Sequence, residues 1–309
     1  TGIFRKAADF KAAAGAGAAA RWIGANARKL GPLMAPHPLR AKKSVLPLCD
    51  PDDPLVRTAS EPDAGKREAV YRRIAEQQDF ELGIGLWGEQ RKVYLTDAFR
   101  SHLADGDRRD VHLGLDLFNQ AGTALTTPLD ATVVDAGICP DPQDYGGVIL
   151  LEHTPQPGVS FRSLWGHLSH SSARRWRAGD RIAAGQQFAE LGNFAENGGW
   201  IPHLHLQLVM SGESEAGAIV GVGEQRFMEV WRDLFPDPSA FALLPPETFH
   251  QSGRSVIELV ASRPQKLGGN LSTSYRQAPL KIVRGTDVWL IDHSGRGYLD
   301  CYNNVAQIG

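Results

Sequence analysis

The chain has 309 residues, 42% hydrophobic and 22% charged, an ordinary globular composition with length enough for two domains or for one with long flanks. Its 33 Lys plus Arg against 35 Asp plus Glu leave a formal charge of -2, so the whole molecule lacks the positive field that binding nucleic acid or an anionic membrane would need. The three cysteines, Cys49, Cys139 and Cys301, are far apart and odd in number, which argues against a disulfide framework or paired-cysteine zinc site and fits a reducing, cytoplasmic compartment.

In chain order, residues 1–44 carry nine Lys or Arg against one acidic residue, Asp9, around an Ala/Gly run at 12–20. The alanines favour a helix that Gly31 and Pro32 would end. Residues 50–64, with three prolines and five acidic residues, read as an exposed linker, so 1–65 is expected to be a basic helix plus linker. A surface helix is expected over 66–78. From residue 82 the texture changes to short β-rich runs, at 82–87, 111–117, 131–136, 147–152, 161–168, 187–191 and 203–209, at the close spacing of a compact antiparallel β domain. A short helix at 227–234 and the proline-rich stretch 235–246 would close that domain, taken as 66–245 with its core at about 108–209. Residues 246–272 read as a linker, and 280–304 as a hairpin turning at 293–297. No stretch approaches the roughly 18 apolar residues of a membrane span.

Chemistry concentrates in the β block. His112 and Asp116 stand four apart, on one face of a strand. A straight strand would hold them roughly 13 Å apart, too far for one ion, but Gly114 between them permits a bulge or bend. His203 and His205 share a strand face, a spacing that suits one direct metal ligand and one neighbour. His167 precedes Leu168 in a further strand. Two His and one Asp meet the needs of a catalytic zinc, which takes three protein ligands and keeps a position for water, and two more imidazoles would handle the water's proton and the oxyanion. His153 and His170 read as hydrogen-bonded or surface histidines; His37, His102, His250 and His293 lack partners at useful spacing. Trp87, Trp165, Trp176 and Trp200 are candidates for a groove wall or for the core.

Residues 108–209 resemble the lysostaphin-type zinc endopeptidases. The likeness runs through Arg109-Asp110-Val111-His112-Leu113-Gly114-Leu115-Asp116-Leu117, Gly122-Thr123-Ala124-Leu125, residues 145–153, Gly166-His167-Leu168, residues 178–182 and Pro202-His203-Leu204-His205-Leu206. It implies a small antiparallel, duplicated-hybrid-motif-like β fold with a groove across one sheet, making the molecule mainly β with a helical N-terminal extension and a short β C-terminal one. It also implies a zinc ion held by His112, Asp116 and His205, with His167 and His203 catalytic, and a peptide or amide substrate. Two departures stand out: Trp165 replaces a tyrosine usual two residues before the histidine of the His-Leu pair, removing a hydroxyl. The glycine-rich segment before His203 is longer and more aromatic, at 192–201, and is expected to narrow the groove.

Residues 279–292 and 295–300 resemble the opening strands of class-III aminotransferases. Those enzymes use pyridoxal phosphate held by a lysine far downstream, so the cofactor is expected only in the remaining C-terminal part of a longer parent protein, with Lys281 not its anchor, and 273–309 as the start of a fused aminotransferase domain. The reading is a zinc metallopeptidase module within a multidomain protein. Two alternatives stand beside it: a metal-bearing binding or delivery module serving the aminotransferase, and a structural spacer with a vestigial site.

Overall fold

The computed structural model describes residues 15–244, apart from 39, 60, 62, 78, 79, 95, 102, 104–106 and 211, together with segments 282–286, 289–292 and 297–299. Its elements, in chain order, are Gly15–Asn26 (α1), Lys43–Val45 (β1), Pro54–Ala59 (α2), Ala64–Glu76 (α3), Leu82–Gly85 (β2), Val111–His112 (β3), Leu115–Phe118 (β4), Ala124–Thr126 (β5), Ala131–Cys139 (β6), Gly146–Gln156 (β7) and Val159–Leu168 (β8). There follow His170–Arg175 (α4), Arg181–Ile182 (β9), Gln187–Glu190 (β10), His203–Val209 (β11), Val222–Gly223 (β12) and Met228–Leu234 (α5). The C-terminal stretch forms a separate antiparallel sheet of Ile282–Thr286 (β13), Trp289–Asp292 (β14) and Gly297–Leu299 (β15). The expected linker at 246–272, most of the expected turn at 293–297, Lys281 and Cys301 lie outside the described residues, as do His102, His250 and His293.

The molecule is mainly β. Eight strands make one sheet in the order β1-β2-β4-β11-β8-β7-β6-β9, antiparallel except for the parallel pair β1 and β2. Side chains alternate across it, as the strand period of two requires. One face carries Leu115, Leu117, Ile149, Leu151, Trp165, Leu204, Leu206 and Leu208, covered by Ala19 and Ile23 of α1 and by Phe241 to Leu244. The other carries Leu113, Val148, Leu150, Leu164 and Val209 beneath Trp231 and Leu234 of α5. Each large side chain buried this way contributes about 1.5–3 kcal/mol.

Two segments differ from their sequence reading. α1 lies on the sheet, with Ala19 fully buried and Ile23 3% exposed, because its alanine-rich side is the one surface of the segment that can leave water. The stretch 50–64 contains α2, which buries Leu55, Val56 and Ala59. These join Leu46, Leu48, Tyr71, Tyr94 and Phe99 in a third cluster that packs on Phe118, Trp200 and Ile201. A pair of apolar residues among prolines and acids is too short to show a period, which is why the segment reads as a linker. The strand expected at 111–117 is also interrupted: β3 pairs with β12, and β4 with β11, the break falling at Leu113 and Gly114.

Candidate metal centre

The break in the β3–β4 strand brings His112 and Asp116 together. His112 Nε2 lies 3.1 Å from Asp116 Oδ1, where an unbroken strand would separate the residues by about 13 Å. Gly114 supplies room for this. A Cβ there would sit 2.5 Å from His205 Cε1 and 2.8 Å from the Leu206 carbonyl oxygen, so the imidazole of His205 occupies the space a side chain would need.

In β11, the alternation that sends Leu204, Leu206 and Leu208 into the core turns His203, His205 and Gln207 to the other face. His205 is opposite Asp116 in β4 and Gly166 in β8. Its Nδ1 lies 3.2 Å from Asp116 Oδ1 and 3.0 Å from His112 Nε2. His112, Asp116 and His205 are thus buried and offer ligand atoms that converge on one point.

The protons in this triangle are fixed by its surroundings. His112 Nδ1 faces the Leu86 carbonyl oxygen at 2.9 Å, and a carbonyl only accepts, so that nitrogen carries the hydrogen and Nε2 a lone pair. Gln207 donates its amide nitrogen to the Val220 carbonyl, which turns its Oε1 to accept from His205 Nε2 at 2.9 Å. Nδ1 of His205 therefore also presents a lone pair. Asp116 Oδ2 accepts from Arg91 Nη1 at 2.6 Å, leaving Oδ1 toward the histidines. Burial opposes ionisation of Asp116, but the Arg91 guanidinium against Oδ2 outweighs it and holds the carboxyl well below its usual range. Burial, then the Arg91 charge, pushes His112 down to about 3, so the ring is neutral at pH 7.

Three lone-pair atoms with mutual distances of 3.0, 3.1 and 3.2 Å and no hydrogen between them repel one another. A cation relieves that repulsion. Zinc with bonds of about 2.0–2.1 Å has tetrahedral edges of about 3.3 Å, so the triangle has the size of one face of such a polyhedron. The residues fit the ion.

His203 and His167 adjoin this triangle. His203 Nε2 is 3.8 Å from Asp116 Oδ1, and its Nδ1 donates to the Ile201 carbonyl at 2.6 Å. Its ring stacks on Phe118 at 4.7 Å and meets the His167 ring at 4.2 Å. His167 donates from Nδ1 to the Asn197 carbonyl at 2.9 Å. Both rings thus keep an Nε2 lone pair, and burial lowers both pKa values. His167 reaches this face only through an irregularity. In a regular strand residues 165 and 167 share a face, and Trp165 is in the core, but His167 has φ 62°, at a bulge opposite β7. This left-handed backbone costs a non-glycine residue about 1–2 kcal/mol; bonds from His167 N to the Tyr145 carbonyl and from Gly192 N to the His167 carbonyl hold it.

All five residues singled out in the sequence thus converge. Trp165 does not: fully buried, it packs edge-on against Phe188 and donates to Ser163 Oγ on the far side of the sheet. Trp176 is also in the core, Trp87 donates to the Phe235 carbonyl, and Trp200 lines the cavity over the centre. In the segment 192–201, the side-chain amide of Asn197 ties to the Trp200 backbone in both directions while its carbonyl holds His167. Sequence reasoning missed Arg91 and Gln207. Gln207 was findable, since it continues the period-two face of His203 and His205 in β11. Nothing local marks Arg91, which arrives from the N-terminal flank.

The family model for "Peptidase family M23" matches residues 110–216, from the start of β3 to just beyond β11. The chain carries a peptidase family M23 domain. Among solved structures, the M23 domain is similar to the catalytic domain of the antimicrobial peptidase lysostaphin from Staphylococcus simulans, at 23% identity over 42% of this chain and 85% of that one, with a TM-score of 0.28. It is similar too to a zinc-containing peptidase from Vibrio cholerae, at 20% identity over 46% of this chain and 33% of that one, TM-score 0.28. A curated relative, "Alanine--glyoxylate aminotransferase 2-like" of Drosophila melanogaster, is 46% identical over 55 residues, 18% of this chain. The chain spans 11% of that relative's length. The M23 domain is of metallopeptidase type, and no described helix is long and apolar enough to cross a membrane.

Proposed function

We propose that the chain is a zinc-dependent hydrolase of peptide or amide bonds, with His112, Asp116 and His205 as the metal ligands and His167 and His203 as the catalytic pair. The observation that carries this reading is the triangle of three proton-free ligand atoms 3.0–3.2 Å apart, beside two imidazoles whose open nitrogens face the same cavity. A bound zinc ion supplies a water of pKa near 7 and polarisation of the scissile carbonyl. His203, neutral and anchored through Nδ1, accepts the proton of the attacking water at Nε2 and returns it to the leaving amine. His167, anchored in the same way, steadies His203 through ring contact and offers its Nε2 lone pair as an acceptor for the attacking water.

The 55-residue likeness to an aminotransferase supports a parent protein in which this module is fused to a class-III, pyridoxal-phosphate-dependent aminotransferase. Elemental analysis of the purified chain, combined with turnover of a mixed peptide library, tests the hydrolase. One zinc per chain and turnover that a chelator stops support it. A full zinc complement with tight peptide binding and no turnover would instead identify a binding module, and absence of stoichiometric metal would leave a spacer.

A further inference from the structure

The five site residues are between 1% and 6% exposed, so access to them is set by what stands above them. A cross-link in a polymer must lie through the site with chain leaving on both sides, so it needs a trough open at two ends. Here the flank forms a second wall. Leu48, Leu55, Tyr71, Tyr94 and Phe99, all buried, stand opposite the M23 face across a cavity of ≈ 320 Å³ above the histidines. That lies at the small end of the range of about 300–1,000 Å³ for small-molecule sites.

Polar ties hold the wall to the domain, two of them beside the cavity. Arg91 pairs with Asp116, both side chains 3% exposed, and Thr96 donates its hydroxyl to Gln143. The exposed residues among those lining the cavity are Ala98, Asp141, Pro142, Gly217 and Ala218. They come from adjoining segments: the Thr96 bond joins the first to the second, and a Cβ on Gly217 would lie 3.1 Å from Cys139 Sγ. Among the described residues they mark a single mouth, with the histidines at its inner end. Half-buried inside it sit one cation and one carboxylate, Arg109 and Asp144. Arg109 is tied to the wall by donating from Nη2 to the Ala98 carbonyl, so its positive charge is fixed at the cavity lining.

We propose that the substrate is a short peptide or amide with an unblocked charged end, admitted end-on through this mouth and held there by Arg109, and that polymeric substrates are excluded. This rests on the hydrolase reading above and narrows it to a substrate class.

The test uses the zinc-loaded full chain with di- and tripeptides, the same sequences extended to hexapeptides, their N-acetylated and C-amidated forms, and purified cross-linked peptidoglycan. The expected result is a kcat/KM at least about tenfold higher for the unblocked short peptides, no soluble product from peptidoglycan, and a raised KM in Arg109→Gln that C-amidation of the substrate makes irrelevant. Equal or faster cleavage of hexapeptides, or release of fragments from peptidoglycan, overturns the proposal. If nothing is cleaved, binding of a phosphinic dipeptide analogue and its hexapeptide counterpart is followed through tryptophan fluorescence, Trp200 being in the cavity wall. Preference for the short analogue then upholds the chamber while removing the hydrolase reading, and equal or absent binding overturns the chamber too.

Discussion

The protein buries histidines in two settings that differ in one respect. His153, fully buried, bonds through both ring nitrogens: Nδ1 donates to the Asp130 carbonyl at 3.1 Å and Nε2 meets Ser163 Oγ at 2.7 Å. His112 and His205 are almost as buried, yet each satisfies only its outer nitrogen and turns the inner one to another lone pair. Burial is common to both and decides nothing. What separates a structural histidine from a metal-ligating one is whether its hydrogen-bonding capacity closes within the protein.

The sharpest way to break this contrast is Asp116→Ala. We expect zinc content to fall to background by elemental analysis and hydrolysis with it. Stability should fall by up to about 3 kcal/mol in denaturant titration, because Arg91 loses one of its two buried carboxylate partners and keeps Glu89. Retention of one zinc per chain would show that the triangle does not hold the metal. His203→Ala should lower kcat by about 10²–10⁴-fold with zinc content unchanged, measured by steady-state kinetics alongside metal analysis; parallel loss of metal would make His203 a ligand. Gly114→Ala forces the His205 ring to move, and competition with a chelator should report zinc affinity about 10–100-fold weaker, the range seen when a ligand's support is disturbed.

At the structural setting, His153→Gln should leave zinc content and kcat unchanged and act on acid stability. Burial brings the folded pKa of His153 down to about 4, from an ordinary 6.5. Between these two values the unfolded chain binds a proton that the folded chain refuses, so stability falls as pH drops from 6.5 toward 4 and this contribution levels off below that. The wild type should lose on the order of 3 kcal/mol more than the variant across that window, by urea unfolding at several pH values. An identical pH dependence would remove His153 as a source. The smallest effect belongs to the backbone of His167: His167→Gly should be more stable than His167→Ala by about 1 kcal/mol, because alanine retains the cost of the left-handed conformation and glycine does not.

The same contrast explains what could be read from the sequence. Strands β6, β7, β8 and β11 declare themselves by apolar alternation, and the spacing of His112, Asp116, His203 and His205 marks the face on which chemistry collects. Gly114 signals the bend because a strand this apolar has little other use for a glycine. The departures from expectation are non-local. Arg91 lies 25 residues before Asp116 and reaches it only because the flank folds over the sheet. α2 hides two apolar residues among prolines and acids, so the wall it helps to form reads as a linker. Period two assigns His167 to the face of Trp165 because it assumes an unbroken pleat, and the left-handed backbone at His167 breaks it.

The carboxylate of Asp116 is divided between two partners, and this has a bearing on ion selectivity. With Oδ2 claimed by Arg91, a cation can draw only one oxygen from this side chain, and two imidazole nitrogens complete the protein's offer. Calcium, which favours six to eight oxygens and often a chelating carboxylate, is poorly served by such a donor set. Small, nitrogen-tolerant ions content with few ligands are favoured, so the flank that walls the cavity also sorts the metals that can settle beneath it.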